Sequence, residues 1–157
     1  MDLVAGDARE ILLIISVDDW EGLRHRRRFP ACTSLGGGID PDWLDLFARA
    51  VLEVIGSGSP TAFSDAACPL ESRLQSRLSN LGDRTVERVD PHWAEEVAAL
   101  PENRVDRLAA RWTELVDAEA CEVEPEEKPT FRALAGELVG FCREAADTED
   151  VLFAWTI

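Results

Sequence analysis

Residues that commonly carry chemistry are scarce in this chain. Its 157 residues include no Tyr, two His and four Cys, and its only Lys is Lys128. His25 and His92 have no partner at metal-ligand spacing, and no two Cys form a CxxC pair, so a zinc site is not expected. Scattered Cys usually behave as small buried hydrophobes. We therefore predict no metal, no cofactor and no disulfide framework.

Basic charge is also in short supply. The chain has 31 acidic and 16 basic residues, which gives a net charge of −15. Such a surface repels nucleic-acid phosphate and anionic membranes, so we expect neither as a partner. The simplest explanation of the charge is solubility, but it can also steer the protein towards a basic protein partner. The charge leaves the oligomeric state open.

Long apolar runs are missing too. The N-terminal stretch MDLVAGDAREILLIISVDDW has acidic residues where a secretory signal needs basic ones, and its apolar run is too short for a membrane span. With no disulfide framework expected, these features predict a cytoplasmic protein. The length and an apolar content of 46% suit one globular domain over residues 1–157.

Two dense apolar segments lie near opposite ends of the chain. Residues 11–17 read ILLIISV and residues 151–157 read VLFAWTI. Continuous runs of this composition are typical of strands that are buried on both faces. We expect the two to be neighbours in a small sheet with at least one further strand, because an isolated pair is marginally stable. Residues 32–38 are the first candidate for that strand and residues 61–63 the next.

Two Asp-Pro pairs mark the clearest helix starts. Asp40 and Asp90 are good N-caps, and the Pro that follows each suits the first helical position. The first helix should end at Gly56 and the second at Pro101. The segments 39–43 and 89–93 also match in having an apolar residue before the cap and a Trp after it. Internal duplication would explain this similarity. The sequences on either side of the two segments differ, however, which favours independent use of the same helix-start pattern.

Three more helices are predicted from apolar periodicity. They cover residues 69–81, 105–116 and 130–146, and the acidic, proline-containing stretch 117–129 reads as an exposed loop. Together with the two terminal strands, 11–17 and 151–157, they predict a mostly helical α+β domain with helices on one or both faces of a small sheet.

Carboxylates at the end of the first predicted strand are the candidate catalytic residues. Asp18 and Asp19 close the apolar run, at a kind of position where α/β enzymes often place acids. His92, in the first turn of a helix, is the candidate partner. These residues support a small hydrolase as the alternative function. The competing interpretation is a solvated strand end, since strand termini generally emerge at the surface.

The one basic cluster is the candidate anion-binding site. It contains Arg24, Arg26, Arg27 and Arg28. Contact with a phosphate-bearing ligand is one interpretation. The other is a loop that pairs with the protein's own carboxylates, which the net charge favours. Glycines 36–38 do not add a phosphate loop, because no Lys-Ser/Thr follows them and the next helix opens with acidic residues.

The C-terminal half resembles a known family. Its successive segments VDPHWAEEVAAL, PENRVDRLAARW and FCREAADTEDVLFAWTI are similar, over residues 85–157, to the YfbM-like family of uncharacterised bacterial proteins. The resemblance implies a bacterial α+β domain in which a short helix pair, a long helix, an acidic turn and a terminal strand follow one another. It implies no site residue, and the N-terminal half departs from the pattern.

The sequence as a whole favours a non-enzymatic function. Strong negative charge without a catalytic signature is typical of a domain that binds another protein, and charge complementarity would speed capture of a basic partner. An immunity protein that neutralises a toxin is one concrete form of this hypothesis. The hydrolase remains the alternative.

Overall fold

The computed structural model describes residues 2–17, 19, 22, 29–36, 39–56, 62–63, 84–120, 123–148 and 151–156. The strands are β1 (Asp2–Ala5), β2 (Ala31–Ser34), β3 (Arg84–Arg88) and β4 (Val151–Thr156). The helices are α1 (Ala8–Ser16), α2 (Pro41–Ile55), α3 (Pro91–Ala98), α4 (Val105–Glu119) and α5 (Lys128–Ala145), with a 3-10 turn at Glu102–Arg104. This confirms a mostly helical α+β fold. The helix predicted over residues 69–81 lies outside the described residues.

The four strands form one antiparallel sheet in the order β2-β1-β4-β3. In the register of β1 and β4, Asp2 faces Ala154 and Ala5 faces Val151. The sheet therefore includes a segment from near each end of the chain, and the predicted C-terminal strand is confirmed over residues 151–156. The predicted pairing of residues 11–17 with residues 151–157 is wrong, because the N-terminal partner of β4 is β1. The strand predicted within residues 32–38 is present as β2.

The strand predicted over residues 11–17 is wrong. Those residues belong to α1, and the N-terminal partner of β4 is β1, nine residues earlier in the chain. The helix starts at Asp7, whose carboxylate Oδ1 accepts a hydrogen bond from the Glu10 backbone N–H at 2.9 Å. This N-cap satisfies one of the donors that every helix start leaves open, which the apolar run alone does not reveal.

Burial along α1 follows a helical period. Ile11, Leu12, Ile14 and Ile15 are buried, whereas Leu13 keeps 50% of its surface exposed. In a strand, Leu13 would share a face with Ile11 and Ile15. Each fully buried aliphatic side chain favours folding by about 1.5–3 kcal/mol relative to exposure, which outweighs the modest helix propensity of Ile.

The remaining strand was not predicted. The β3 sequence RTVER has one apolar residue, Val86, among polar ones, as suits a strand at the edge of a sheet. Residues 62–63, within the second candidate segment 61–63, are not in a strand. Phe63 is buried instead, and its carbonyl O accepts a hydrogen bond from the Asp90 N–H at 2.9 Å.

The sheet separates two hydrophobic clusters. Val4 of β1 and Val86 of β3 pack with the buried face of α1. Leu3 and Ala5 of β1 belong to a larger cluster with α2, α3, α4 and α5. Because alternate residues of a strand point to opposite faces, α1 covers one face of the sheet and the other four helices cover the opposite one.

Aromatic side chains tie the four-helix layer together. The Trp93 indole N–H donates to the Leu44 carbonyl O at 3.1 Å, and the Trp112 indole N–H donates to the Trp43 carbonyl O at 2.8 Å. The ring of Phe47 lies against the rings of Trp93 and Trp112. Buried Trp residues need such hydrogen-bond partners, so each indole fixes one helix on another.

The two Asp-Pro segments are used alike as helix starts. Asp40 accepts a hydrogen bond from the Asp42 N–H at 3.0 Å, and Asp90 accepts one from the His92 N–H at 2.7 Å. The predicted stop at Gly56 is also confirmed, since this residue caps α2 in the left-handed region with φ = 85°. The capping role accounts for the matching residue types in the two segments.

Candidate functional site

The predicted catalytic carboxylates lie at and beyond the end of α1 in the chain. Asp18 lies outside the described residues. Asp19 is exposed, and its Oδ1 accepts a hydrogen bond from the Gly22 N–H at 3.0 Å. The Asp19 carboxylate is thus engaged by a backbone N–H three residues later in the chain, which is a structural role.

The predicted partner, His92, stands elsewhere. Its side chain is 80% exposed in the first turn of α3, and its Nδ1 is 3.5 Å from an Oε atom of Glu95. The helix α3 packs on the face of the sheet opposite to α1, which Asp19 follows. Asp19 and His92 therefore belong to elements on opposite faces of the sheet, and the hydrolase alternative stays a prediction.

The basic cluster and the cysteines add no described site. Arg24, Arg26, Arg27 and Arg28 lie outside the described residues, so their role in anion binding stays a prediction. Cys142 is buried, and burial raises the pKa of its thiol well above its usual range. A thiol kept protonated in this way is a poor nucleophile. Within the described ranges, no group of three or more His, Cys, Asp or Glu is arranged to hold a metal ion.

A groove lies between α4 and the first turns of α5. We call it the α4–α5 groove; its volume is about 350 Å³. Eight residues line it: Asp106, Ala109, Ala110, Thr113, Glu114, Asp117, Lys128 and Arg132. Small side chains of α4 leave the space, and charged side chains from both helices surround it. A second concavity, lined by residues that include Arg88, Pro91 and Ala146, is smaller, with a volume of about 60 Å³.

Hydrogen bonds fix the charged residues of the groove. Arg132 donates from two guanidinium nitrogens to the two Asp106 oxygens, at 2.7 and 3.0 Å. These bonds raise the pKa of the Arg132 guanidinium. Arg111 donates to Glu114 at 2.9 Å and to Glu53 of α2 at 2.5 Å. The paired geometry positions the carboxylates, although ion pairs this exposed contribute little to stability.

The end of α4 and the loop that joins it to α5 supply further negative charge. Six of the eleven residues from 117 to 127 are acidic, two of them in the last turn of α4. Asp117 accepts a hydrogen bond from the Val123 N–H at 3.0 Å, and Glu127 accepts one from the Glu124 N–H at 3.0 Å. Among the described residues, no cation forms an ion pair with Asp117, Glu124, Glu126 or Glu127. This surface is therefore open to an external cation.

Sequence reasoning did not find this groove, although a signal for it exists. Asp106, Ala110, Thr113 and Asp117 follow one another at intervals of three or four residues, so they form one stripe along α4. Small residues in the middle of a polar stripe leave a depression between its acidic ends. Pairing with α5 completes the groove, and that pairing depends on contacts distant in the sequence.

Comparisons with known proteins do not place the chain in a family. No family model, no curated protein and no solved structure matches it. The resemblance of residues 85–157 to the YfbM-like family stays a prediction. Among the described helices, none is both long enough and apolar enough to cross a membrane.

Proposed function

We propose that this chain is a non-enzymatic interaction domain of the bacterial cytoplasm that binds a basic protein partner. An immunity protein that neutralises a basic toxin is the concrete form we favour. The observation that carries the proposal is the uncompensated negative charge of the helical layer. Residues 91–150 contain sixteen acidic and six basic residues, so most of the excess charge of the chain falls in this stretch.

The basic residues of that layer are largely committed within the protein. Arg104 donates to the Val54 carbonyl O at 2.6 Å, at the end of α2. Arg143 donates to the Leu100 carbonyl O at 2.5 Å and forms an ion pair with Glu102. These arginines form hydrogen bonds and an ion pair that connect helices within the protein. The exposed carboxylates therefore dominate the electrostatic potential of the surface. A surface of one sign attracts a partner of the other sign and raises the association rate.

The test is chemical cross-linking in the cells that produce the protein, at its native abundance, followed by purification of the captured partner. We expect a partner with a basic surface. The association rate of the purified pair should fall by at least about tenfold between about 50 mM and 500 mM salt, because salt screens exposed charges. A partner whose binding does not change with salt, or no partner at all, would contradict the proposal.

A further inference from the structure

We propose that the α4–α5 groove is where the basic partner docks, and that its occupant is an exposed Arg- or Lys-bearing segment of that partner. This inference rests on the proposed function and adds the place and the chemistry of recognition. The groove combines a concave floor of small side chains with a border that carries three carboxylates and two cations.

The floor of the groove suits the apolar stem of a long basic side chain. Ala109 and Ala110 bring no polar side-chain atoms, and the Thr113 hydroxyl already donates to the Ala109 carbonyl O at 2.8 Å. A ligand therefore need not satisfy a buried polar group there. The volume of about 350 Å³ lies at the lower end of the range of about 300–1,000 Å³ typical of ligand sites. Long cationic side chains commonly lay their methylenes on such surfaces and leave the charge at the border.

The charges at the border select a cation. Arg132 is neutralised by Asp106 through two hydrogen bonds. Lys128 is the one lining cation without an ion pair among the described residues. The lining has three carboxylates, on Asp106, Glu114 and Asp117, against two cations. The loop directly before Lys128 adds an excess of exposed carboxylates, on Glu124, Glu126 and Glu127. An anionic ligand would meet that excess, so a basic segment is the complementary occupant.

The border is also ordered before a partner arrives. The hydrogen bond from Val123 to Asp117 fixes the carboxylate at the end of α4, and the bond from Glu124 to Glu127 fixes one beside α5. Side chains already held in one conformation lose less entropy on binding. The groove can therefore recognise a cation without rearranging its own carboxylates.

The experiment uses a synthetic peptide of alternating Arg and Ala, blocked at both ends, and a peptide with Glu in place of Arg as its control. Binding to the full chain is measured by calorimetry in about 50 mM salt, where charge attraction is little screened. We expect the Arg peptide to bind and the Glu peptide not to bind. NMR amide shifts should change mainly in residues 106–117 and 124–132.

Two matched pairs of variants test the groove itself. Ala110→Trp fills the floor and should weaken binding at least about tenfold, whereas Ala133→Trp, on an exposed position of α5 outside the lining, should change it less than about twofold. Asp117→Asn removes charge but keeps an oxygen for the Val123 N–H, and should weaken binding by about threefold to tenfold. Glu144→Gln, which removes one charge elsewhere on α5, is its control.

The outcomes separate the two proposals. If the Arg peptide binds and all four variants bind it equally, the groove is not the docking site, and the acidic interaction domain survives. If the peptide does not bind the unmodified chain but a captured basic partner does, the recognition chemistry assigned to the groove is contradicted and the proposed function survives. If neither binds, both proposals are contradicted. Circular dichroism checks that each variant is folded. If Ala110→Trp does not fold, the comparison of peptide binding by Asp117→Asn and Glu144→Gln decides whether the groove is the docking site.

Discussion

Residues 11–16 and residues 151–156 are equal in length and similarly apolar, yet the first segment lies in a helix and the second forms a strand. The first is preceded by Asp7, whose carboxylate caps the helix at the Glu10 N–H. The second has a strand on each side, since β4 lies between β1 and β3. In this molecule, the residues around an apolar run select its conformation more than the run itself does.

Length supports the same conclusion. The capped helix α1 extends over nine residues and packs its buried side on the sheet. A helix limited to the six residues of β4 would make fewer than about two turns, against about two and a half in α1. The backbone groups of β4 are instead satisfied by ladders on both sides, which only a central strand obtains.

The largest effect is expected from Leu13→Pro. Proline in the interior of α1 removes a backbone hydrogen bond and clashes with the preceding turn, so unfolding free energy should fall by about 3 kcal/mol or more. Leu13→Gln is the control and should change it by less than about 0.5 kcal/mol, because the side chain is 50% exposed. Urea denaturation measures both. A large loss of unfolding free energy for Leu13→Gln would instead support the prediction that residues 11–17 form a strand buried on both faces.

A matched truncation pair follows in size. Ile15 is 2% exposed, so Ile15→Ala should lower the unfolding free energy by about 2–4 kcal/mol. Leu13→Ala should cost less than about 1 kcal/mol. Thermal denaturation compares the two variants. Equal losses would show that both side chains are buried, as in a strand covered on both faces.

A smaller loss is expected at Gly6, which joins β1 to α1. Its φ is 153°, and a Cβ added there would lie 2.9 Å from Cδ1 of the buried Phe29 ring. Gly6→Ala should therefore destabilise the protein by about 1–3 kcal/mol. Gly136→Ala, in α5 with open space around the added Cβ, should stabilise it by about 0.5–1 kcal/mol. Urea midpoints of the two variants on the same side of the unmodified chain would refute this account.

Removal of the N-cap of α1 should lower the free energy of unfolding by about 1 kcal/mol. Asp7→Ala removes the acceptor for the Glu10 N–H, which typically costs about 0.5–2 kcal/mol. Asp7→Ser keeps a side-chain oxygen at the cap and should retain most of that stability. Chemical denaturation of both variants measures the difference. Indistinguishable stabilities for Ala and Ser would mean that α1 is not selected by its cap.

The smallest expected effect is on the pH dependence of stability. It concerns the ion pairs between α2 and α4, whereas the preceding predictions concern mainly α1. A hydrogen bond from Arg111, with help from Arg49, lowers the pKa of the Glu53 carboxyl. Its contribution to stability is therefore present above the ordinary Glu pKa of about 4.3 and is lost as the pH falls through the lowered value. Between pH 7 and pH 3, Glu53→Gln should lose slightly less stability than the unmodified chain.

The matched control for that pH series is Glu144→Gln. Glu144 is exposed and has no ion pair among the described residues, so this variant should follow the unmodified chain as the pH falls. Because exposed ion pairs are worth little, the Glu53 effect should stay below about 1 kcal/mol. If the stability of all three proteins falls in the same way with pH, the Glu53 carboxylate does not contribute to stability through its ion pairs.

The sequence predicted the parts of this fold that depend on local chemistry. Asp40 and Asp90 cap helices where the Asp-Pro pairs place them, and residues 151–156 form a strand. The short, polar strand β3 was not recognised in the sequence. An edge strand buries few side chains, so its conformation depends mainly on pairing with the neighbouring strand. The helix over residues 11–16 was missed because its capping residue, Asp7, lies before the apolar run. The α4–α5 groove was missed because it requires the packing of two helices.

The layered architecture, and with it the acidic helical surface, depends on the different conformations of the two apolar runs. The most direct test is an NMR measurement of Cα chemical shifts for residues 8–16 and 151–156, together with contacts between Val4 and Leu152. We predict helical shifts for the first segment, strand shifts for the second and a cross-strand contact between that pair. Strand shifts over residues 11–17, with contacts from that segment to β4, would contradict the account.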